Sequence, residues 1–277
     1  MAARVAFQGE RGAFSEMAAL QYFPNAKMVP LKSFQDVFNA TEGGDVDYAV
    51  VPVENSIEGT INENYDLLLQ TKMSIVGEIY QRIRHCLIAN KNAGKIRFAY
   101  SHPQALAQCR QYLQKHRLEA MPAYDTAGAV KMIKEKKMTD SAAIASKRAA
   151  ELYDMKIIEE DIEDRKNNYT RFLVLSLHKK TEKAEAEAES KYKTSIIFSI
   201  KHVPGALFEI LSEFAIHKIN LTKIESRPTK ETPWEYNFYV DIEGNLQDIV
   251  LHKALQSIKS KTLCIKILGS YKKAEFC

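Results

Sequence analysis

Two short polar clusters stand against apolar runs in this 277-residue chain. Glu54, Asn55 and Ser56 follow DYAVVPV at 47–53, and Tyr169, Thr170 and Arg171 lead into FLVLSL at 172–177. Side chains of these types bind and polarise an anionic ligand: the amide and the hydroxyls donate hydrogen bonds, and an arginine clamps a carboxylate through two parallel bonds. Glu54 can orient neighbouring donors or, protonated, act as an acid itself. Each residue also has a structural use. Asn55 and Ser56 suit capping of a following helix, Thr170 suits the start of a strand, Arg171 suits a surface ion pair with Asp161, Glu163 or Asp164, and Phe172 suits a core or cleft wall. No His or Cys cluster has the spacing of a metal site, so no metal or cofactor is expected. His102, beside Pro103 and without an acidic partner in sequence, reads as structural, and Cys109 as a small buried residue. Gly9-x-x-Gly12 lacks the third glycine and the Lys-Ser/Thr ending of a phosphate loop. It reads instead as a tight turn that delivers the backbone N–H groups of Ala13, Phe14 and Ser15 to a carboxylate, with Thr126 doing the same from another helix start.

The elements that must position these groups alternate strand and helix. Strands are expected at 4–9, 28–30 and 47–53, and helices at 15–22, 33–41, with Ser33 and Asp36 as a capping box, and near 63–70. A long β-rich stretch at 74–90 opens a second cycle, with strands at 97–100 and 120–123 and helices at 103–115, 126–136 and 141–153. Ser101, Asp125 and Asp140 are the expected caps; on this reading Gln108 is a solvated helix residue. Alternation of this kind builds a sheet with helices on both faces. The strand 170–177 is expected to return to the first lobe. Two crossings between lobes then make a hinged cleft, lobe one at about 1–78 and 160–178 and lobe two at about 79–159, whose natural guest is an anionic small molecule.

Composition supports two or three ordinary folded units, with 45% hydrophobic and 27% charged residues. The net charge of +4 is diffuse: 23 basic against 22 acidic residues in 1–178, 5 against 4 in 179–193 and 11 against 9 in 194–277. No segment forms the basic face that nucleic acid requires. No apolar run approaches the ~20 residues of a membrane span, and the chain runs from Met1 into a strand without a signal-like segment, so a cytoplasmic protein with no membrane partner is expected. Cys86, Cys109, Cys264 and Cys277 form no C-x-x-C pair and read as reduced thiols. The mixed-charge stretch at 179–193 reads as a linker. Beyond it, 194–277 has the strand and helix order βαββαβ of a ferredoxin-like unit.

FQGERGAFSEMA, VPVENSIEGTINENYDLL, SHPQALAQC and NYTRFLVLS, in that order over residues 3–178, resemble the prephenate dehydratase family. HVPGALFEIL and NLTKIESRP, within 194–271, resemble the phenylalanine-binding ACT domain attached to such enzymes. The resemblance implies an α/β fold with a two-lobed, periplasmic-binding-protein-like catalytic region at 1–178 and an ACT regulatory domain at 194–277. It implies a carbon–oxygen lyase that converts prephenate to phenylpyruvate in phenylalanine biosynthesis, inhibited by L-phenylalanine and assembled as a homodimer or homotetramer. Arogenate dehydratase is the neighbouring alternative, and a non-catalytic two-lobed sensor is the third. No chorismate mutase segment precedes Arg4, so the monofunctional form is expected. By this resemblance Thr170 assists departure of the ring hydroxyl, with Arg171, Asn55, Ser56, Glu54, Ser101 and Gln108 as catalytic polar groups. Ala13, Phe14, Ser15, Thr126 and Phe172 contact substrate. Gly205, Ala206, Leu207, Asn220, Leu221, Glu225, Ser226 and Arg227 form the phenylalanine site. Phe208 stands where the ACT motif often has valine, a change that bears on phenylalanine affinity.

Overall fold

The computed structural model describes residues 2–178, 192–229 and 235–275. The linker expected at 179–193 lies outside the described residues except for its last two, Tyr192 and Lys193, which are strand. By its contacts the chain divides into two compact units. The first holds the described residues up to Leu67, Ile79–Leu173 and Glu275; the second holds Leu68–Glu78 and the described residues from Val174 to Ala274.

The chain begins with β1 (Arg4–Gln8), α1 (Phe14–Tyr22), β2 (Lys27–Leu31), α2 (Phe34–Glu42), β3 (Tyr48–Asn55), β4 (Gly59–Thr60), α3 (Asn62–Gln70) and β5 (Ser74–Arg82). The expected capping box starts α2: Ser33 Oγ accepts from the Asp36 amide at 3.1 Å, and Asp36 Oδ2 accepts from the Ser33 amide at 3.2 Å. With the returning strand β11 (Tyr169–Ser176) these strands form a sheet in the order β2-β1-β3-β11-β5, β4 pairing with β3. β1 runs parallel to β2 and β3. Val50, Val51, Val53, Val174 and Leu175 are fully buried, which is why these runs read as continuous hydrophobic stretches.

The second sheet has the order β10-β6-β9-β7-β8, from β6 (Cys86–Ala89), β7 (Phe98–Ser101), β8 (Glu119–Pro122), β9 (Ser141–Ala145) and β10 (Lys156–Glu159). Three expectations are corrected here. The β-rich stretch at 74–90 is two strands in two sheets, so the chain leaves the first sheet at 83–85 rather than at 79. The helix expected at 141–153 is strand β9 followed by α7 (Lys147–Leu152), capped by Ser146 rather than Asp140, its Oγ accepting from the Ala149 amide at 3.0 Å. Ser-Ala-Ala-Ile-Ala carries no periodicity, and only its place between β6 and β7, every residue buried, makes it strand. The helix expected at 103–115 is broken at Cys109 into α4 (Pro103–Gln108) and α5 (Arg110–His116). The return segment enters that break: the Asp164 amide donates to the Gln108 carbonyl at 2.8 Å, and Asp164 Oδ1 accepts from the Gln111 amide at 3.1 Å. α6 (Thr126–Glu135) is capped as expected by Asp125, which accepts from the Gly128 amide at 3.0 Å.

The Gly9–Gly12 turn fastens the β1–α1 connection to the second sheet's helices. Ser146 Oγ donates to the Gly12 carbonyl at 2.6 Å, and Arg148 Nε meets the buried Glu16 carboxylate at 2.9 Å. Gly12 has φ of 90°, and a Cβ there would lie 2.8 Å from Ala149 Cα. Gly12→Ala therefore combines left-handed strain with overlap of backbone and is expected to cost about 1–3 kcal/mol, read as a lowered urea midpoint at unchanged slope; an unchanged midpoint would contradict this close approach.

The C-terminal elements are β12 (Tyr192–Ser199), α8 (Ala206–Ile216), β13 (Leu221–Pro228), β14 (Tyr236–Glu243), α9 (Ile249–Lys259) and β15 (Cys264–Lys272). They form the expected βαββαβ unit with an antiparallel sheet in the order β13-β14-β12-β15. Ile196, Phe198, Val240 and Ile242 on one face pack against Ile210 and Phe214 of α8 and Leu251, Ala254 and Ile258 of α9. The opposite face is polar yet buried. Ser195 Oγ donates to Asp241 Oδ1 at 2.5 Å, and Lys193 Nζ stands 2.9 Å from Glu78 Oε1. Lys266 Nζ donates to the carbonyls of Leu69, at 2.8 Å, and Thr71, at 2.5 Å, closing the C-terminus of α3. A Cβ on Gly269 would overlap the Ile75 carbonyl oxygen, so only glycine fits there.

Candidate active site

The ends of β3 and β11 lie side by side, which brings the two polar clusters together. Asn55 Nδ2 donates to Thr170 Oγ1 at 3.0 Å, to Asn168 Oδ1 at 2.8 Å and to the Tyr169 carbonyl at 3.2 Å. Asn55 Oδ1 accepts from the backbone amides of Ile57 and Glu58 at 2.9 and 3.0 Å. Asn55 and Ser56 thus cap no helix. Asn55 holds the turn after β3, and Ser56 Oγ joins it to the other strand, donating to the Asn167 carbonyl at 3.0 Å and accepting from the Tyr169 amide at 2.9 Å.

Backbone N–H groups can only donate, so they fix which end of the Asn55 amide is oxygen. Its Nδ2 is then the donor toward Thr170, and the Thr170 oxygen is an acceptor in that bond. A hydroxyl that accepts keeps its own hydrogen for another partner, and no described residue takes it. Thr170, 8% exposed, is thereby set up as a hydrogen donor.

The network continues into the second sheet's helices. Asn168, completely buried, donates through Nδ2 to Gln108 Oε1 at 2.9 Å, and His85 Nε2 lies 2.9 Å from the same oxygen. Gln108 is 8% exposed rather than solvated, because the Asp164 clip at the α4–α5 break turns it inward. His85 follows β5, where the chain first leaves its sheet, and Asn168 precedes β11, where it returns. The Ile83 amide bonds the Asn168 carbonyl at 2.8 Å, so the two crossings are joined to each other. His85 is buried with its ring perpendicular to that of Phe14, centroids 5.4 Å apart, and desolvation lowers its pKa, which keeps the ring neutral at neutral pH.

Neither His85 nor Asn168 was singled out from the residue types. The available signals were a lone imidazole inside the apolar run IRHCLIAN and the asparagine that opens NYTRF. The remaining sequence candidates are distributed as follows. Arg171, 5% exposed, is no surface ion-pair residue. Glu54 is partly buried near the end of β3, facing Thr60 of β4 in register. Phe172, 2% exposed, is core and offers no surface to a solute. Ser101 is not the cap of α4; that is His102, whose Nδ1 accepts from the Gln104 amide at 3.3 Å. Ser101 is the last residue of β7, fully buried, and its hydroxyl donates to the Ile144 carbonyl at 2.6 Å. It stays outside the Thr170 network. Cys109 is fully buried, with its thiol pKa raised by desolvation, as befits an inert packing residue.

The Gly9–Gly12 turn spends amides on the protein's own groups: Glu10 N–H on Asp125 Oδ2 at 3.2 Å, Gly12 N–H on Glu16 Oε2 at 2.8 Å and Ala13 N–H on the Glu10 carbonyl at 3.1 Å. Ala13 itself, 4% exposed, packs into the second sheet's core. The expectation that Ala13 offers its amide to a ligand is therefore corrected. Phe14 and Ser15 begin α1, and Thr126 begins α6, where first-turn amides have no partner within the helix.

In the C-terminal unit a cavity of about 420 Å³ opens beside the start of α8, lined by Gly205, Ala206, Leu207, Ser226, Tyr236 and Phe238 among others. Gly205 precedes the helix with φ of 85°. The other four expected residues do not line it. Side chains alternate along β13, so Glu225 and Arg227 point to the face opposite Ser226. Asn220 and Leu221 stand at the far end of that strand, Asn220 Nδ2 bonding Glu243 Oε2 at 3.2 Å and Leu221 packing into the core.

Comparison with known proteins gives this arrangement its context. The family model described as prephenate dehydratase matches residues 5–180, and that of the ACT domain matches residues 194–259. The chain is 44% identical over 279 residues to arogenate dehydratase/prephenate dehydratase 2, chloroplastic, of Arabidopsis thaliana, covering 97% of this chain and 72% of that relative. Among solved structures it matches a prephenate dehydratase from Arthrobacter aurescens in complex with L-Phe with a TM-score of 0.87 at 29% identity, covering 98% and 90% of the two chains. It matches GqqA, described as a novel type of quorum quenching acylases, with a TM-score of 0.90 at 31% identity and 99% of each chain. The prephenate dehydratase model spans more than half of the chain, over the residues that carry both motif-bearing strand ends and the amide network between them, and this chain belongs to the prephenate dehydratase family.

Proposed function

We propose that the chain catalyses the decarboxylating dehydration of prephenate to phenylpyruvate. In that reaction the bond between the ring and its carboxylate breaks, its electron pair enters the ring, and the C4–oxygen bond breaks with the pair leaving on oxygen. The departing hydroxide takes a proton and becomes water, while the carboxylate leaves as carbon dioxide. Aromatisation drives the outcome, so the protein must hold two carboxylates and supply a hydrogen bond to the leaving oxygen as charge develops on it. The observation that carries this reading is the direction of the Asn55–Thr170 bond, which leaves the Thr170 hydroxyl as a donor. An unperturbed threonine is a poor acid; it acts here inside a polarised chain of buried amides. The same bond argues against an acylase reading of Thr170, because an asparagine amide cannot take the proton that a nucleophilic hydroxyl must lose.

Arg171 is assigned to carboxylate binding, Ser56 and Glu54 to orientation, Gln108 to the second lobe's side of the cleft, and Phe14, Ser15 and Thr126 to its walls; Ser101, buried with its hydroxyl on the Ile144 carbonyl, is not assigned to the cleft. The catalytic region is assigned to 1–178 and the regulatory domain to 194–277. Ultraviolet detection of phenylpyruvate from prephenate tests the activity, with arogenate as the competing substrate. Formation of phenylalanine from arogenate alone would replace the prephenate reading, and tight prephenate binding without turnover would favour the sensor.

The cavity beside Gly205, Ala206, Leu207 and Ser226 is assigned to L-phenylalanine, whose carboxylate is matched by the amides opening α8 and whose ring is matched by Phe238 and Tyr236. Inhibition then requires that phenylalanine bind one conformational state better than another. Ala206→Trp fills the cavity and is expected to weaken phenylalanine binding at least about 10-fold by calorimetry, an overpacking cost above 1.4 kcal/mol; unchanged affinity would place the effector elsewhere. Phe208, Ile216 and Ile249, each more than 70% exposed, supply apolar surface for a homodimer or homotetramer, which sedimentation tests. Cys86, Cys109 and Cys264 are unpaired, in keeping with a reducing compartment such as the cytoplasm. Among the described residues no helix is long and apolar enough to cross a membrane.

A further inference from the structure

We infer that His85 is a positioning residue that, as the Nε2–H tautomer, locks the amide of Gln108 with its oxygen turned into the network and its NH2 group left to donate. The inference rests on the dehydratase reading for its catalytic consequence but on geometry alone for the lock.

The direction of every bond follows from the two backbone amides at one end. Ile57 and Glu58 N–H fix Asn55 Oδ1. Asn55 Nδ2 must then meet the oxygen of Asn168, which turns the Asn168 NH2 group toward Gln108. Gln108 must present Oε1 to it, and the same oxygen faces His85 Nε2 at 2.9 Å. Two acceptors cannot bond, so His85 Nε2 carries the hydrogen. Its Nδ1 is consequently bare, and that atom has no hydrogen-bond partner among the described residues. The two donors occupy both lone pairs of Gln108 Oε1, and rotation of the amide by 180° would set NH2 against two N–H groups. No described residue takes the Gln108 Nε2 hydrogens, so they are the outward end of the chain, just as the Thr170 hydrogen is the outward end at the other terminus.

His85 holds this place through its backbone as well as its ring. Its amide donates to Glu163 Oε2 at 2.9 Å, its carbonyl accepts from the Ile162 amide at 3.0 Å, and the Phe14 ring packs perpendicular to its own. The imidazole thus stands where both crossings and α4 converge, and one ring sets the orientation of an amide carried by another element. Without the ring hydrogen, Gln108 Oε1 retains only Asn168, and the side chain can swing about that single bond. A misplacement of about 1 Å at a substrate donor costs roughly 10²-fold in rate.

Two measurements test this. In the intact protein, ring 15N shifts of selectively labelled histidine are expected to show His85 as the Nε2–H tautomer with an unprotonated Nδ1 at neutral pH; the Nδ1–H tautomer would overturn the lock. His85→Gln, whose Nε2 reaches about as far as the ring nitrogen, is expected to retain kcat within about 10-fold, whereas His85→Leu loses about 10²-fold in kcat with a smaller change in KM. Equal kcat in the two variants would overturn the positioning role. Should the wild-type protein turn over neither prephenate nor arogenate, the dehydratase reading fails by itself while the ring shifts still decide the tautomer.

Discussion

Thr170→Ala is expected to lower kcat for prephenate dehydration about 10²–10³-fold, the range that follows loss of one donor to a developing oxyanion or of one positioned acid. The KM should move far less, since the hydroxyl's bond strengthens only as the C4–oxygen bond breaks. Thr170→Ser keeps the oxygen that accepts from Asn55 and should recover most of the rate, although its freer rotamer gives up some orientation. Thr170→Val matches the shape, removes both hydrogen-bonding roles and should resemble alanine. Stability is a weak confounder at this position: Asn55 Nδ2 retains Asn168 Oδ1 and the Tyr169 carbonyl as acceptors when the hydroxyl is gone. The measurement is steady-state kinetics on all three variants beside their urea midpoints. A kcat for alanine within 10-fold of wild type, with the fold intact, would remove Thr170 from the chemistry.

The second large effect is on stability and lies within the second compact unit, which includes Leu68–Glu78. Lys193 and Glu78 form an ion pair at 2.9 Å with side-chain exposures of 4% and 0%, and Glu78 also accepts from the Ala274 amide at 3.0 Å. Truncating one partner strands the other charge away from water. Lys193→Met is expected to cost about 3–5 kcal/mol, whereas Lys193→Met with Glu78→Leu should recover much of that loss, because two apolar side chains need no solvation that the interior cannot give. Urea unfolding of both single variants and the double variant gives the coupling directly. A single-variant loss below about 1 kcal/mol would show that the pair is solvated in solution. The pair joins β12 to β5, the strand that ends three residues before His85.

The elements with strong internal signals were legible. The capping box at Ser33, the βαββαβ order with α8 at Ala206–Ile216, and the continuous apolar runs of β3 and β11 are all local: a hydroxyl capping an amide three residues on, or a strand buried on both faces, announces itself within a short window. The failures were non-local in origin. Ser141–Ala145 has no period, so its strand state depends on the neighbours β6 and β7 that enclose it. The break at Cys109 depends on Asp164, 55 residues away, reaching into the helix.

The same division governs the site. By itself the sequence determined which residue types were available, that two polar clusters end apolar strands, and which family those motifs resemble. Only the tertiary structure decided that Asn55 faces Thr170 across 115 residues of chain, that Gln108 turns inward to His85, that Phe172 is core, that Ser101 spends its hydroxyl on Ile144, and that Glu225 and Arg227 lie on the wrong side of β13 for the cavity. The physical reason is that a hydrogen bond has a direction and a reach of about 3 Å, whereas a motif records only composition along the chain. Donor and acceptor roles were settled by two backbone amides, and a backbone amide acquires a direction only when the chain has folded around it.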